Sequence, residues 1–151
     1  MKIFKTISWK YHLFVFSICL LFVPLTVFSE TEGLSKEQTS LIKAIKRNNI
    51  KQVKKILRAG VSFTSQNKEF NPLKTAVFFD NKKIVAELIK HQIDVNKEDL
   101  QGRTVLHFAL DTYRPKLSII KLLVEEGGAN INTIDFIGDT PLNIASRFNS
   151  H

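Results

Sequence analysis

The sequence predicts an all-α solenoid of about three and a half helix-turn-helix repeats with short hairpin-like loops. Three observations carry that prediction. A Leu-x-x-Ala motif recurs at Leu41–Ala44, Leu73–Ala76, Leu106–Ala109 and Leu142–Ala145, its leucines 32, 33 and 36 residues apart. Self-similarity at a period of about 33 residues marks stacked supersecondary units, each burying its apolar face against the next. A second apolar pattern follows the first three copies: Val53, Ile56 and Leu57; Ile84, Val85, Leu88 and Ile89; Ile119, Ile120, Leu122 and Leu123. Between copies lie loops punctuated by glycine, with Asp99 and Asp135 each three residues before Gly102 and Gly138. Such a stack offers an extended binding surface rather than a catalytic cleft.

Residues 1–29 read as an address. Lys2, Lys5 and Lys10 precede an almost wholly apolar run from Leu13 to Val23, Pro24 breaks it, and Val27-Phe28-Ser29 leads into Glu30. That is the layout of a secretory signal peptide, with cleavage expected between Ser29 and Glu30. An uncleaved membrane anchor is the alternative, although Leu13–Phe28 is 16 residues long and about 20 are needed to span a bilayer. Cys19, the only cysteine, would leave with the leader. Ile18 before it is not small, which argues against lipid attachment there. Thiol catalysis and cysteine metal sites then drop out.

Residues 30–35 form a short linker, and the repeats occupy about 36–66, 67–98, 99–134 and 135–151, the last incomplete. Ser35-Lys36-Glu37-Gln38 is a capping box opening the first helix. In the second helix of copy one, Ile50, Val53 and Leu57 form an apolar stripe and Lys51, Lys54, Lys55 and Arg58 a basic one. Asn71-Pro72 and Thr140-Pro141 suit first-helix starts, where a polar side chain caps free N–H groups and proline presets φ. Gly60 and Gly127 suit the left-handed ends of second helices.

Gly102-Arg103-Thr104-Val105-Leu106-His107-Phe108-Ala109 and Gly138-Asp139-Thr140-Pro141-Leu142-Asn143-Ile144-Ala145, with Ala129-Asn130-Ile131-Asn132 after the second helix, resemble the ankyrin repeat. The pattern of that family is D-x-x-G-x-T-P-L-H-x-A, a turn, V-V-x-L-L-L, then G-A-D-V-N. Copy one lacks the G-x-T-P start, Glu69 replaces the glycine in copy two, and Val105 replaces proline in copy three. Two additional residues around Tyr113–Lys116 and one at Gly127-Gly128 account for the 36-residue interval. The resemblance implies a non-catalytic module that binds a protein partner by its concave face and loop tips. It makes His107 a structural residue that ties adjacent loops by hydrogen bonds. It places tip candidates at Asn67, Lys68, Phe70, Leu100, Gln101, Arg103, Phe136, Ile137 and Asp139, and first-helix ends at Lys46, Arg47, Phe78, Phe79, Asp111, Thr112, Arg147 and Phe148. Phe78-Phe79 reads equally as a binding pair or as filler turned inward beside the extended turn of copy three.

No catalytic residue, cofactor or metal is expected. His12, His91, His107 and His151 never fall three or four apart, and no phosphate-cradling loop or nucleophile elbow occurs. Glu98-Asp99 and Glu125-Glu126 are sequence neighbours that do not face one site.

The net charge is +8. Three of the 22 basic residues and none of the 14 acidic ones lie in the leader, so the remainder carries +5. Lys43, Lys46, Arg47, Lys51, Lys54, Lys55 and Arg58 crowd copy one, where no acid occurs between Glu37 and Glu69. This is either the solvated face of a terminal repeat or a patch for an anionic partner. Nucleic acid is not expected, because no aromatics interleave the cations for base stacking. The chain is expected to be exported, periplasmic or secreted, and to meet a membrane only if the leader is retained. The incomplete copy four is expected to leave Ile144 under-covered and to fray or self-associate.

Overall fold

The computed structural model describes residues 33–64, 70–112 and 114–148, the side chain of Phe148 excepted. The expected leader, its cleavage site at Ser29 and Glu30, and the tip candidates Asn67 and Lys68 lie outside the described residues.

The described residues form helices and loops without a strand. In chain order they are α1 (Lys36–Lys46), α2 (Ile50–Arg58), α3 (Pro72–Phe78), α4 (Lys82–Lys90), α5 (Val105–Leu110), α6 (Leu117–Lys121) continued by a π-helical turn at Leu122–Glu126, and α7 (Pro141–Phe148). First helices stack in one layer, α1 on α3 on α5 on α7. Second helices stack in another, α2 on α4 on α6 and its π turn. This is the expected all-α solenoid.

Each first helix starts where a short polar side chain takes up its orphan N–H groups. Ser35 Oγ accepts from Gln38 N, and Gln38 Oε1 accepts from Ser35 N, closing the capping box. Asn71 Oδ1 accepts from Lys74 N, with Pro72 at the first helical position. Thr140 Oγ1 accepts from Asn143 N. Second helices end in left-handed residues, Gly60, Gln92 and Gly128. The additional residue of copy three is absorbed by the π turn, where Gly127 N donates to Leu122 O. A five-residue hydrogen-bonded ring takes up one residue without moving the buried Leu122 and Leu123 out of the core.

The core runs continuously through the repeats. Leu41, Leu73 and Leu106, with Ala44, Ala76 and Ala109, are buried on the inner faces of the first helices, against Val53, Ile84, Val85, Leu88, Ile119 and Leu123 of the second. Copy four departs from this. Leu142, at the motif position of the buried Leu41, Leu73 and Leu106, is 74% exposed. Ile144, expected to be under-covered, is instead buried at 4% exposure against copy three.

Buried polar groups tie one copy to the next. Asn81, in the turn between α3 and α4, is buried, and its Nδ2 donates to Ile45 O at 3.0 Å. His107 is fully buried. Its Nδ1 accepts from Thr104 N at 3.1 Å, and its Nε2 lies 3.2 Å from Asp139 O in the next loop. Lys74 stands at the equivalent position in copy two and reaches Asp99 Oδ2 at 2.9 Å, replacing the imidazole bond by an ion pair.

Candidate functional site

The loop tips are built by one aspartate each. Asp99 Oδ1 accepts from Gln101 N and Arg103 N, both at 3.0 Å, while Asp99 N donates to Arg103 O. Asp135 Oδ1 does the same for Ile137 N and Asp139 N. Gly102 and Gly138 complete the turns at φ +73° and +89°, a region costly for a side chain. The two tips are stitched together where Phe136 N donates to Gln101 O at 3.0 Å. A Cβ on Gly102 would come within 2.7 Å of the Phe136 ring, so the glycine also makes room for the neighbouring tip. Partial burial raises the Asp99 carboxyl's pKa, but the Lys74 ammonium and the Arg103 and Gln101 amides outweigh it. The carboxyl is held below its ordinary value of 3.8.

Most of the residues expected at tips and first-helix ends surround two neighbouring hollows. One, of about 350 Å³, is lined by Val77, Phe78, Phe108, Ala109, Asp111, Thr112, Arg114, Lys116 and Ile119. Phe78 is 69% exposed and meets Phe79 edge-on at 5.1 Å, and Phe108 lies 6.2 Å from Phe78. The pair does not turn inward to fill space. The other hollow, about 230 Å³, gathers Gln101, Arg103, Asp111, Phe136, Ile137, Asp139 and Arg147. Its charges are paired: Arg103 with Asp111 at 2.8 Å, and Arg147 with Asp139. The pairs have opposite polarity in successive copies. Arg103 Nε is buried without an acceptor among the described residues. Phe136 and Ile137 project from the tip at 76% and 81% exposure.

Other expected residues, Phe79 among them, line neither hollow. Phe70 is buried, at 3% exposure, and does not stand on a loop tip as expected. It occupies the place of Arg103 and Asp139 in the later copies, and an apolar ring there turns inward where a charge turns out. Leu100 is exposed but lines neither hollow. Phe148 belongs to α7, and its side chain is outside the described residues.

Sequence reasoning missed Phe108, which joins Phe78 and carries Lys74 Nζ 5.2 Å above its ring. Arg114 and Lys116 bring the extended turn of copy three into the same hollow, with Lys116 paired to Asp80 at 3.1 Å. The signal for Phe108 was its place, one before Ala109 in the motif, on the open side of a first helix.

The basic residues divide. Lys51, Lys54, Lys55 and Arg58 share a shallow depression on α2, whereas Lys43, Lys46 and Arg47 are exposed on α1 and its end. Among the described residues no three His, Cys, Asp or Glu side chains gather as they would around a metal ion, and no helix is long and apolar enough to cross a membrane.

Against known proteins, the family of ankyrin repeats (3 copies) matches residues 17–99 and 41–135. The chain is 33% identical over 93 residues to Alpha-latrotoxin-Lg1a of Latrodectus geometricus, covering 59% of this chain and 7% of that protein. It is 31% identical over 118 residues to Regulatory protein NPR3 of Arabidopsis thaliana, covering 78% of this chain and 19% of that protein. The chain thus spans less than a fifth of the length of these curated relatives.

Proposed function

The chain belongs to the ankyrin-repeat family, and from that premise we propose that it is an exported, non-catalytic adaptor that holds a protein partner along its first-helix layer and loop tips. Ankyrin repeats are a protein–protein interaction fold, and the specific role is read from this chain's own surface. The observation that carries it is the exposed pair Phe78 and Phe79 against half-buried Phe108, set beside the projecting tip residues Phe136 and Ile137. Aromatic side chains left in water next to a rim of arginines and aspartates are the composition of an interface centre rather than of a solvated surface.

The test is affinity capture with residues 30–151, beside a Phe78→Ala/Phe79→Ala/Phe136→Ala variant of unchanged circular dichroism. The wild type should retain a protein that the variant loses. A protein held equally by both would remove these residues from the interface.

Export rests on the basic and apolar layout of residues 1–29. An intact mass beginning at Glu30 after expression in a secreting host is the expected result. A full-length mass confined to the membrane fraction would replace the soluble adaptor by an anchored accessory subunit.

A further inference from the structure

The outer layer of the first two copies carries a charge distribution that the partner-binding surface does not use. On α2, Lys51, Lys54, Lys55 and Arg58 fall at relative positions 0, 3, 4 and 7, one stripe about 10 Å long. Lys51, Lys55 and Arg58 are exposed, with no acidic partner among the described residues. Lys54 bridges to Glu87 on the adjoining α4 at 3.4 Å, which places Glu87 on the same side as the stripe. Lys83 and Lys90 lie four before and three after Glu87 and so share its face of α4. The two helices together present six cations around one acid. Further along the layer the charge is mixed, with Lys121, Glu125 and Glu126 all exposed on the second helix of copy three.

We infer that this outer face docks on a surface of anionic lipid headgroups. Charge complementarity alone would also admit an acidic protein, but the face lacks what a protein interface needs. The exposed large apolar residues Phe78, Phe79, Leu100, Leu117, Ile131, Ile134, Phe136, Ile137 and Leu142 all lie off α2 and α4. Protein interfaces have an apolar or aromatic centre and are depleted in lysine, whereas a headgroup layer recognises a field of basic side chains and needs no apolar anchor. The same lack of aromatics removes base stacking. The face lies on the layer opposite the hollows at the first-helix ends, so both could be occupied at once, and it stands or falls independently of the protein partner.

The experiment is co-sedimentation of the full chain with vesicles of mixed phosphatidylcholine and phosphatidylglycerol, against phosphatidylcholine alone. Wild type is compared with Lys51→Gln/Lys55→Gln/Arg58→Gln. A control variant, Lys36→Gln/Arg114→Gln/Lys116→Gln, loses the same charge from other surfaces. The N-terminal residues are common to all three proteins and cancel in the comparison. Each cation near such a surface is worth about fivefold in partitioning, so the α2 variant should lose about a hundredfold on the anionic vesicles. The control should lose much less, and added salt should abolish the difference. Equal losses by the two variants would reduce the effect to net charge and overturn the inference. So would equal binding of wild type and the α2 variant to the anionic vesicles. Capture of an acidic protein, sensitive to the α2 substitutions while anionic vesicles are ignored, would transfer the face to a protein partner.

Discussion

Asp99 shows how much one side chain organises at this scale. It closes its own turn through two backbone amides and fastens the tip to copy two through Lys74. Its carboxyl is held below 3.8 in the native state, where burial is outweighed by these donors. A depressed native value means the contribution is complete above the ordinary pKa and is lost as the pH falls through 3.8 towards the native value. Urea unfolding should therefore show wild type losing stability over that acid range more steeply than Asp99→Asn, with the two curves converging at the acid end. Parallel curves would mean that the carboxyl is not held below its ordinary value. His107 also links copies: its ring joins Thr104 to Asp139 O, the structural role that the T-P-L-H motif implied. Phe70 reads differently in sequence and structure. Its place in the repeat pointed to an exposed tip, and only its burial shows that the ring turns in.

Helices of identical motif behave differently according to what stacks on them. Leu106 in α5 and Leu142 in α7 occupy the same motif position, yet the first is 1% exposed and the second 74%. Leu106→Ala should cost about 2–5 kcal/mol in equilibrium urea unfolding, the usual range for a buried leucine. Leu142→Ala should cost less than about 0.5 kcal/mol, as for an exposed site. A comparable cost at both positions, rising with protein concentration, would show that another copy of the chain covers α7. Ile144 and the His107 Nε2–Asp139 O contact nonetheless seat copy four on copy three, so α7 is docked on one side and open on the other. The turns divide similarly. The additional residue at Gly127-Gly128 was visible as one of the three that lengthen the interval from 33 to 36, but its accommodation as a π turn depends on keeping both Leu122 and Leu123 buried.

Over the whole repeat array, the periodic leucines and alanines determined the stacked-helix architecture, because an apolar stripe recurring every 33 residues can be buried only against its neighbours. The sequence likewise determined the capping residues, the glycine turns, the charge asymmetry of copy one and the absence of any recognisable catalytic motif, since each depends on local backbone preference or residue type. It located the stretches that form the two hollows without determining their membership. Phe108 joins Phe78 across 30 positions, Arg103 and Arg147 meet aspartates with opposite polarity in successive copies, and Asn81 is committed to Ile45. The tertiary structure alone decided which first-helix side chains face out, which turn residues bridge copies, and that α2 and α4 together hold six cations on one face. Those outcomes depend on the rotation and spacing of one repeat against the next, and stacking geometry is a property of packed pairs of helices that no single repeat's residues specify.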